Sequence, residues 1–326
     1  MRALLVERLA ADYAGCVVKD IPIPEPGPGE VRVRVRAAAV NFPDLMQTRG
    51  EHQHKPEVPF VPGLELAGEV DAVGPGVTEL QVGHAVAGGA RGGCAEYAVV
   101  PAGALRKKPA NLSFGQAAGY PVAYLTAYAG LVRAGQLQPG EWALIHGASG
   151  GVGLAAVDLA RVLGARVIAA SASDAKLAVI QQEYAPDATV NVTDGFRERV
   201  KAITGGGGAD VIYDPVGGDV FDESTRCIAF GGRILSIGFT SGRLPTLPVN
   251  IALIKGFSVH GVRAGEYGRK FPDKGRENVE AIWRLAEEGR VKPRVHAEYP
   301  LSDWREAFET LAQRTVVGKT IIRPDL

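Results

Sequence analysis

Hydrophobic and polar residues alternate along the first third of the chain. Val31–Arg36 reads VRVRVR, the period-two pattern of a half-buried strand. Leu64–Val73 and Glu96–Val100 are further strand candidates, separated by GPGV and GGARGG turns. Ile21–Glu30, IPIPEPGPGE, interrupts any regular element because proline removes donors and glycine frees the backbone. Together these segments predict a mainly β region ending near residue 120.

The pattern changes after Ser113. Gln116–Gly130 has helical spacing. Trp142–His146 is a short apolar run, Gly147–Gly153 a glycine-rich turn, Val152–Leu163 a helix and Arg166–Ala170 a second apolar run. That order is a βαβ unit. Ala209–Asp214 and Arg233–Gly238 read as parallel strands buried on both faces, with a helix over Val220–Ala229 joining them. Val249–Gly261 offers an apolar edge strand able to pair across a two-fold axis, which predicts a homodimer. Asn278–Glu288 and Trp304–Gln313 are amphipathic helices, and Lys319–Arg323 is a final strand.

Composition narrows the class. Glycine is 42 of 326 residues, without a period of three, so the chain is not collagen-like. Hydrophobic residues are 46%, enough for a packed core. Lys+Arg and Asp+Glu are 36 each, so no basic excess points to nucleic acid. No run of eighteen apolar residues predicts a membrane span, and the N-terminal segment does not read as a signal peptide. The three cysteines, Cys16, Cys94 and Cys227, are widely spaced, which suits a reducing compartment and predicts a cytoplasmic setting.

The candidate chemistry begins at Gly147, Gly150 and Gly153. This GxxGxxG lies between an apolar strand and a helix, the context in which glycines admit a pyrophosphate and free N–H groups face it. Ser149, Gly151 and Val152 complete the candidate loop. The next strand ends in Ala169-Ala170-Ser171-Ala172-Ser173, with no acid to receive a ribose 2′-hydroxyl. Ser171, Ser173 and Lys176 suit a 2′-phosphate instead, so the expected cofactor is NADP(H). The competing roles are helix capping for the serines and a solvated charge for Lys176. Asp174 lies on the helix side of the turn and equally suits a cap.

Six segments carry a resemblance. They are VNFPDLMQTRG (40–50), PFVPGLELAGEVDAVGPGV (59–77), VGHAVAG (82–88), YPVAYLTAY (120–128), LQPGEWALIHGASGGVGLAAVDLA (137–160) and DPVGGDVF (214–221). In this order they resemble the zinc-independent medium-chain dehydrogenase/reductases, and among them the quinone oxidoreductase (zeta-crystallin-like) group. The resemblance implies an α/β chain: a GroES-like β-rich catalytic domain, 1–122 and 265–326, and a Rossmann doubly wound parallel-sheet domain, 123–264. Zinc enzymes of this superfamily carry cysteine where this chain has Asn41, and histidine where it has Leu64, so no metal site is expected.

The same resemblance assigns roles. Asn41 and Asp44 fall at the catalytic floor, with helix capping as their competing role. Thr126 falls near the nicotinamide ribose, against the alternative of a helical threonine bonded to its own turn. Gly238 and Phe239 fall where backbone groups hold the carboxamide. Arg263 and Gly265 fall in a loop at the same pocket, and Arg314 is the arginine expected to reach the 2′-phosphate beside Lys176. The group's usual Asn-Tyr is here Asn191-Val192, and Tyr184 is a candidate substitute. The expected activity is metal-free hydride transfer from NADPH to a quinone or conjugated enone. The alternatives are an enoyl-CoA reductase, with Arg49, Lys55, Arg263, Arg269 and Lys270 near a CoA phosphate, and a non-catalytic crystallin-like NADPH-binding protein.

Overall fold

The computed structural model describes residues 1–326, which divide into two compact units. Unit one comprises Met1–Val122 and Pro293–Leu326; unit two is Ala123–Lys292. The expected return at 265 is displaced: residues 265–292 group with unit two.

Unit one opens with β1 (Arg2–Val6) and β2 (Cys16–Asp20), an antiparallel pair. The long β3 (Glu30–Val40) is followed by α1 (Phe42–Arg49), β4 (Glu65–Val73), β5 (Ala85–Gly89), β6 (Tyr97–Pro101) and β7 (Leu105–Lys107). The alternation in β3 works as its pattern predicts. Val31, Val33 and Val35 are buried, while Arg32 and Arg36 lie on the other face. There Arg32 Nε meets Asp71 Oδ2 at 2.6 Å and Arg36 Nη2 meets Glu69 Oε2 at 2.8 Å, cross-strand pairs that support the β3–β4 register. The short α2 (Phe114–Ala118) is capped by Ser113, whose Oγ accepts from the Gln116 N–H at 3.1 Å. It leads into α3 (Pro121–Tyr128) and a π-helical turn, Ala129–Ala134, rather than one helix over 116–130.

Unit two is built on β8 (Trp142–Ile145), α4 (Gly151–Val162), β9 (Arg166–Ser171), α5 (Asp174–Tyr184), β10 (Ala188–Asn191) and α6 (Arg197–Ile203). It continues with β11 (Ala209–Asp214), α7 (Gly218–Ser224), β12 (Ile228–Ser236), α8 (Val249–Lys255), β13 (Ser258–Gly261), α9 (Ala264–Lys270) and α10 (Pro272–Glu287). The chain then supplies β14 (Val295–Pro300), α11 (Trp304–Ala312) and β15 (Lys319–Arg323) to unit one. Its sheet there runs β14-β15-β3-β4-β5-β7, with β6 also paired to β3. The core of this unit includes Leu4, Leu45, Leu66 and Phe308, with Tyr13, Trp304 and Phe308 packed edge to face.

The sheet of unit two is wholly parallel, in the order β10-β9-β8-β11-β12-β13. Ile168, Leu144, Ile212 and Ile234 stand side by side in register across four strands, all fully buried. Strands covered on both faces require such unbroken apolar runs. The order reverses at β8, and open sheets of this kind bind ligands at that reversal, off the carboxyl ends of the strands. The predicted apolar strand over 249–261 is instead a helix followed by a four-residue edge strand. The helix predicted over 220–229 ends at Ser224, and Ile228 and Ala229 already belong to β12.

Both ends of unit two are pinned by one buried carboxylate. Asp158 Oδ2 on α4 accepts from Tyr124 Oη and from the Lys292 backbone N–H, each at 2.6 Å. The Tyr184 hydroxyl donates to the Lys292 carbonyl at 2.6 Å.

Candidate functional site

In unit two the glycine loop joins β8 to α4. Gly147 has φ +56°, and Gly150 is the helix N-cap without a side chain to cap it. The first N–H groups of α4, on Gly151, Val152 and Gly153, therefore have no side-chain cap, with the helix dipole behind them. Gly153 has no room for a side chain: a Cβ there would lie 2.1 Å from the Gly147 carbonyl oxygen. Ser149 is half-buried in the turn. This is the arrangement that receives a pyrophosphate.

Ser171 ends β9, buried and in register with Asn191 of β10. Ser173 is the N-cap of α5, and its Oγ accepts from the Lys176 N–H at 3.4 Å. Asp174 Oδ1 is taken by the Asn191 amide at 2.7 Å, which ties α5 to the end of β10. Thr193 Oγ1 donates to Asn191 Oδ1 at 2.7 Å. Burial lowers the pKa of Lys176 from its usual value. Tyr184 cannot replace the missing tyrosine. It closes the opposite end of α5 from Ser173, is buried, and spends its hydroxyl on Lys292.

The segment after β12 lies on the turn after β11. Thr240 N donates to Pro215 O and Ser241 N to Val216 O, while Asp214 Oδ1 accepts from the Val216 and Gly217 amides. The Gly238 and Phe239 amides donate to no group of the chain. Arg263 is exposed at the N-cap position of α9, and Gly265 is inside that helix rather than in a loop. Thr126 is half-buried on α3, just ahead of the π-helical turn.

His146 follows β8. Its ring is buried against Phe196, and Nε2 lies 2.9 Å from Ser224 Oγ. Ser224 donates its own proton to the Val220 carbonyl, so His146 carries hydrogen on Nε2. Burial pushes its pKa down to about 3.

Unit one brings Asn41 and Asp44 into a buried polar cluster. α1 begins at Phe42, with Asn41 as its N-cap. Asp44 accepts from the Asn41 N–H at 2.8 Å and from the Gly63 N–H at 3.1 Å. Burial, opposed by these bonds and by Lys319, pushes its pKa up to about 7. The Asn41 amide is committed: Nδ2 donates to Glu65 Oε1 at 2.9 Å and Ala39 O at 3.3 Å, and Oδ1 accepts from Lys319 Nζ at 2.6 Å. Lys319 and Glu65 form an ion pair at 3.0 Å, with side chains 9% and 0% exposed. The second Glu65 oxygen takes the Val122 N–H at 2.8 Å.

Glu65 and Lys319 were not singled out from the sequence. One lysine in a terminal strand carries no signal of burial, although Glu65 stands beside Leu64 in a segment that did. Arg314 lies in an exposed turn of unit one after α11, with φ +57°. Arg49 donates to the Tyr13 hydroxyl and stacks over its ring at 4.9 Å, and Arg269 pairs with Glu266 at 2.6 Å.

Residues 151–286 match the family model Zinc-binding dehydrogenase, and residues 27–110 match Alcohol dehydrogenase GroES-like domain. The chain is 44% identical over 291 residues to quinone oxidoreductase-like protein 2 homolog of Nematostella vectensis, spanning 88% of this chain and 79% of that protein. A mycobacterial structure solved with NADPH is 29% identical with TM-score 0.90, covering 99% of this chain and 100% of that one. A structure described as an NAD-dependent alcohol dehydrogenase is 35% identical with TM-score 0.89, covering 99% of each. The class is an oxidoreductase built from a GroES-like domain and a Rossmann-like parallel-sheet domain. The chain belongs to the medium-chain dehydrogenase/reductase superfamily and, within it, to the quinone oxidoreductase group.

The zinc of one family model's name does not fit the residues here. The Lys319 ammonium already sits against Asn41 Oδ1 and Glu65, where a second cation would be repelled. No three His, Cys, Asp or Glu side chains converge to hold a metal. A dinucleotide fits the loop of unit two, because Gly153 leaves that turn closed to any side chain and α4 presents uncapped amides.

Proposed function

We propose that this oxidoreductase transfers hydride from NADPH to a quinone or conjugated enone without a metal. The observation that carries the reading is the uncapped α4 N-terminus behind the Gly147–Gly153 turn, next to a β9 that ends in Ser171 rather than an acid. The α4 amides hold the pyrophosphate. Ser171, Ser173 and Lys176 hold the 2′-phosphate. The free Gly238 and Phe239 amides, with Arg263 nearby in sequence, hold the nicotinamide end.

Bound NADPH supplies a hydride from its nicotinamide C4, and the acceptor also takes up one proton. A conjugated acceptor spreads the arriving charge over its oxygen, so hydrogen bonds suffice where an alcohol would need a Lewis acid. Thr126 orients the nicotinamide ribose. Asn41 has both amide hydrogens engaged and one Oδ1 lone pair on Lys319, so what it can offer is the second Oδ1 lone pair, held in place by Lys319 and Glu65. Asp44 fixes the start of α1 beneath it.

The enoyl-CoA alternative is less favoured because Arg49 and Arg269 are already paired within the chain. A homodimer through β13 and α8 follows from the open sheet edge and from Val249, Leu253 and Ile254, which are 74–80% exposed. The three free cysteines fit a reducing compartment, the cytoplasm.

The test is a panel of quinones, enones and enoyl-CoAs with NADPH and NADH. Lys176→Ala is expected to weaken NADPH at least tenfold more than NADH, about 1.4 kcal/mol of selectivity. Equal losses for the two cofactors refute the phosphate assignment. Tight NADPH binding without turnover of any acceptor refutes the activity.

A further inference from the structure

Phe239 is an aromatic side chain 45% exposed, just beyond the carboxyl end of β12 in the parallel sheet. Its place is set by the turn beneath it. Gly217 has φ +68° and ψ −159°, a conformation open essentially only to glycine. A Cβ on Gly217 would lie 3.0 Å from the Phe239 ring carbon Cδ1 and 3.5 Å from its Cα. The ring therefore rests on bare backbone. The Gly242 N–H donates to the Phe239 carbonyl at 2.9 Å, which closes the 239–242 turn.

This seat is aligned with the nucleotide loop. Pro215 and Val216 stand next to Gly147, their side chains 3.1 and 3.5 Å from where its Cβ would be. The turn after β11 thus adjoins the glycine turn through Pro215 and Val216 and Phe239 through Gly217. Two strand spacings, about 9.5 Å, separate β8 from β12. A dinucleotide anchored at α4 has its adenosine ribose off β9. Its other half then crosses β11 and ends beside β12, at the ring of Phe239.

We propose that the Phe239 side chain is the platform on which the hydride acceptor stacks, and that it selects planar aromatic quinones over acyclic enones. This rests on the NADPH-dependent reductase reading above and names its substrate class. A flat conjugated ring gains from an offset stack that an acyclic enone is too small to fill. The residue positions and discriminates; it exchanges no proton or electron with the substrate.

The experiment compares kcat/KM for 9,10-phenanthrenequinone and 3-buten-2-one at saturating NADPH, in the wild type, Phe239→Leu and Phe239→Tyr. Leucine keeps an apolar cover on Gly217 and so preserves the turn, and NADPH fluorescence titration checks that each variant binds cofactor. The quinone-to-enone ratio is expected to fall about tenfold in Phe239→Leu, carried by the quinone KM, and to return in Phe239→Tyr. A ratio unchanged by Phe239→Leu, or unrestored by tyrosine, overturns the proposal. A wild type that binds NADPH and reduces neither acceptor overturns the parent reading instead.

Discussion

Lys319→Met removes one partner of a buried ion pair and leaves the other charged. Glu65 is fully buried and keeps only two neutral donors, Asn41 Nδ2 and the Val122 N–H. Asn41 Oδ1 loses its 2.6 Å donor at the same time. Breaking a buried pair on one side costs about 3–5 kcal/mol, because the remaining charge stays out of water. Adding Glu65→Gln removes that charge, so the double variant is expected to be more stable than the two single losses added, with a coupling of about 2–3 kcal/mol. Trp304 is the one tryptophan of unit one; Trp142 and Trp283 belong to unit two. Urea unfolding followed by fluorescence in a Trp142→Phe/Trp283→Phe background therefore reads the relevant unit. A Lys319→Met loss under about 1 kcal/mol, or strictly additive losses in the double variant, refutes the view that this pair organises the cluster.

Gly153→Ala forces a Cβ to within 2.1 Å of the Gly147 oxygen, so the loop must open. NADPH affinity measured by titration is expected to drop more than tenfold with the fold retained by circular dichroism, and unchanged affinity contradicts the loop assignment. His146 has a folded pKa near 3 against an ordinary 6.5. A lowered histidine pKa contributes stability that is complete above pH 6.5 and is lost as pH falls toward 3, on the order of 5 kcal/mol in full. The urea midpoint of unit two, read by Trp142 and Trp283, should decline more steeply below pH 6 in the wild type than in His146→Gln; parallel declines refute it. Leu253→Glu with Ile254→Glu is expected to convert a dimer to a monomer by light scattering, and an unaltered mass removes α8 from any interface.

Elements whose pattern is local were legible. The alternation of β3, the Gly147–Gly153 turn between its strand and helix, and the last strand over Lys319–Arg323 follow from neighbouring residues alone. The segment 249–261 was not, because VNIALIK has β-branched residues on what folds as a short surface helix, and its apolar face is the same read either way. The grouping of α9 and α10 with unit two depends on packing remote in sequence. Arg133 on the π-helical turn bonds Asn278 at 2.8 Å and Glu277 at 2.6 Å, a contact no spacing announces. In the site, Asn41 and Asp44 were visible only through the resemblance carried by the 40–50 segment. Lys319 was not, because a lysine's burial is decided by the carboxylate it meets, and Glu65 lies far away in the chain.

Tyr124 and Lys292 stand at opposite ends of unit two, yet they reach the same oxygen of Asp158. That unit therefore starts and stops at one spot, the anatomy of a module set into a loop of its host. Such a segment can be lifted out and its ends joined by a few flexible residues, because the ends already meet. Residues 123–292 are accordingly suited to transplantation as a cassette or to circular permutation, with new termini cut into the exposed glycines 205–207. Asp158 serves as the clasp that makes the cassette self-contained.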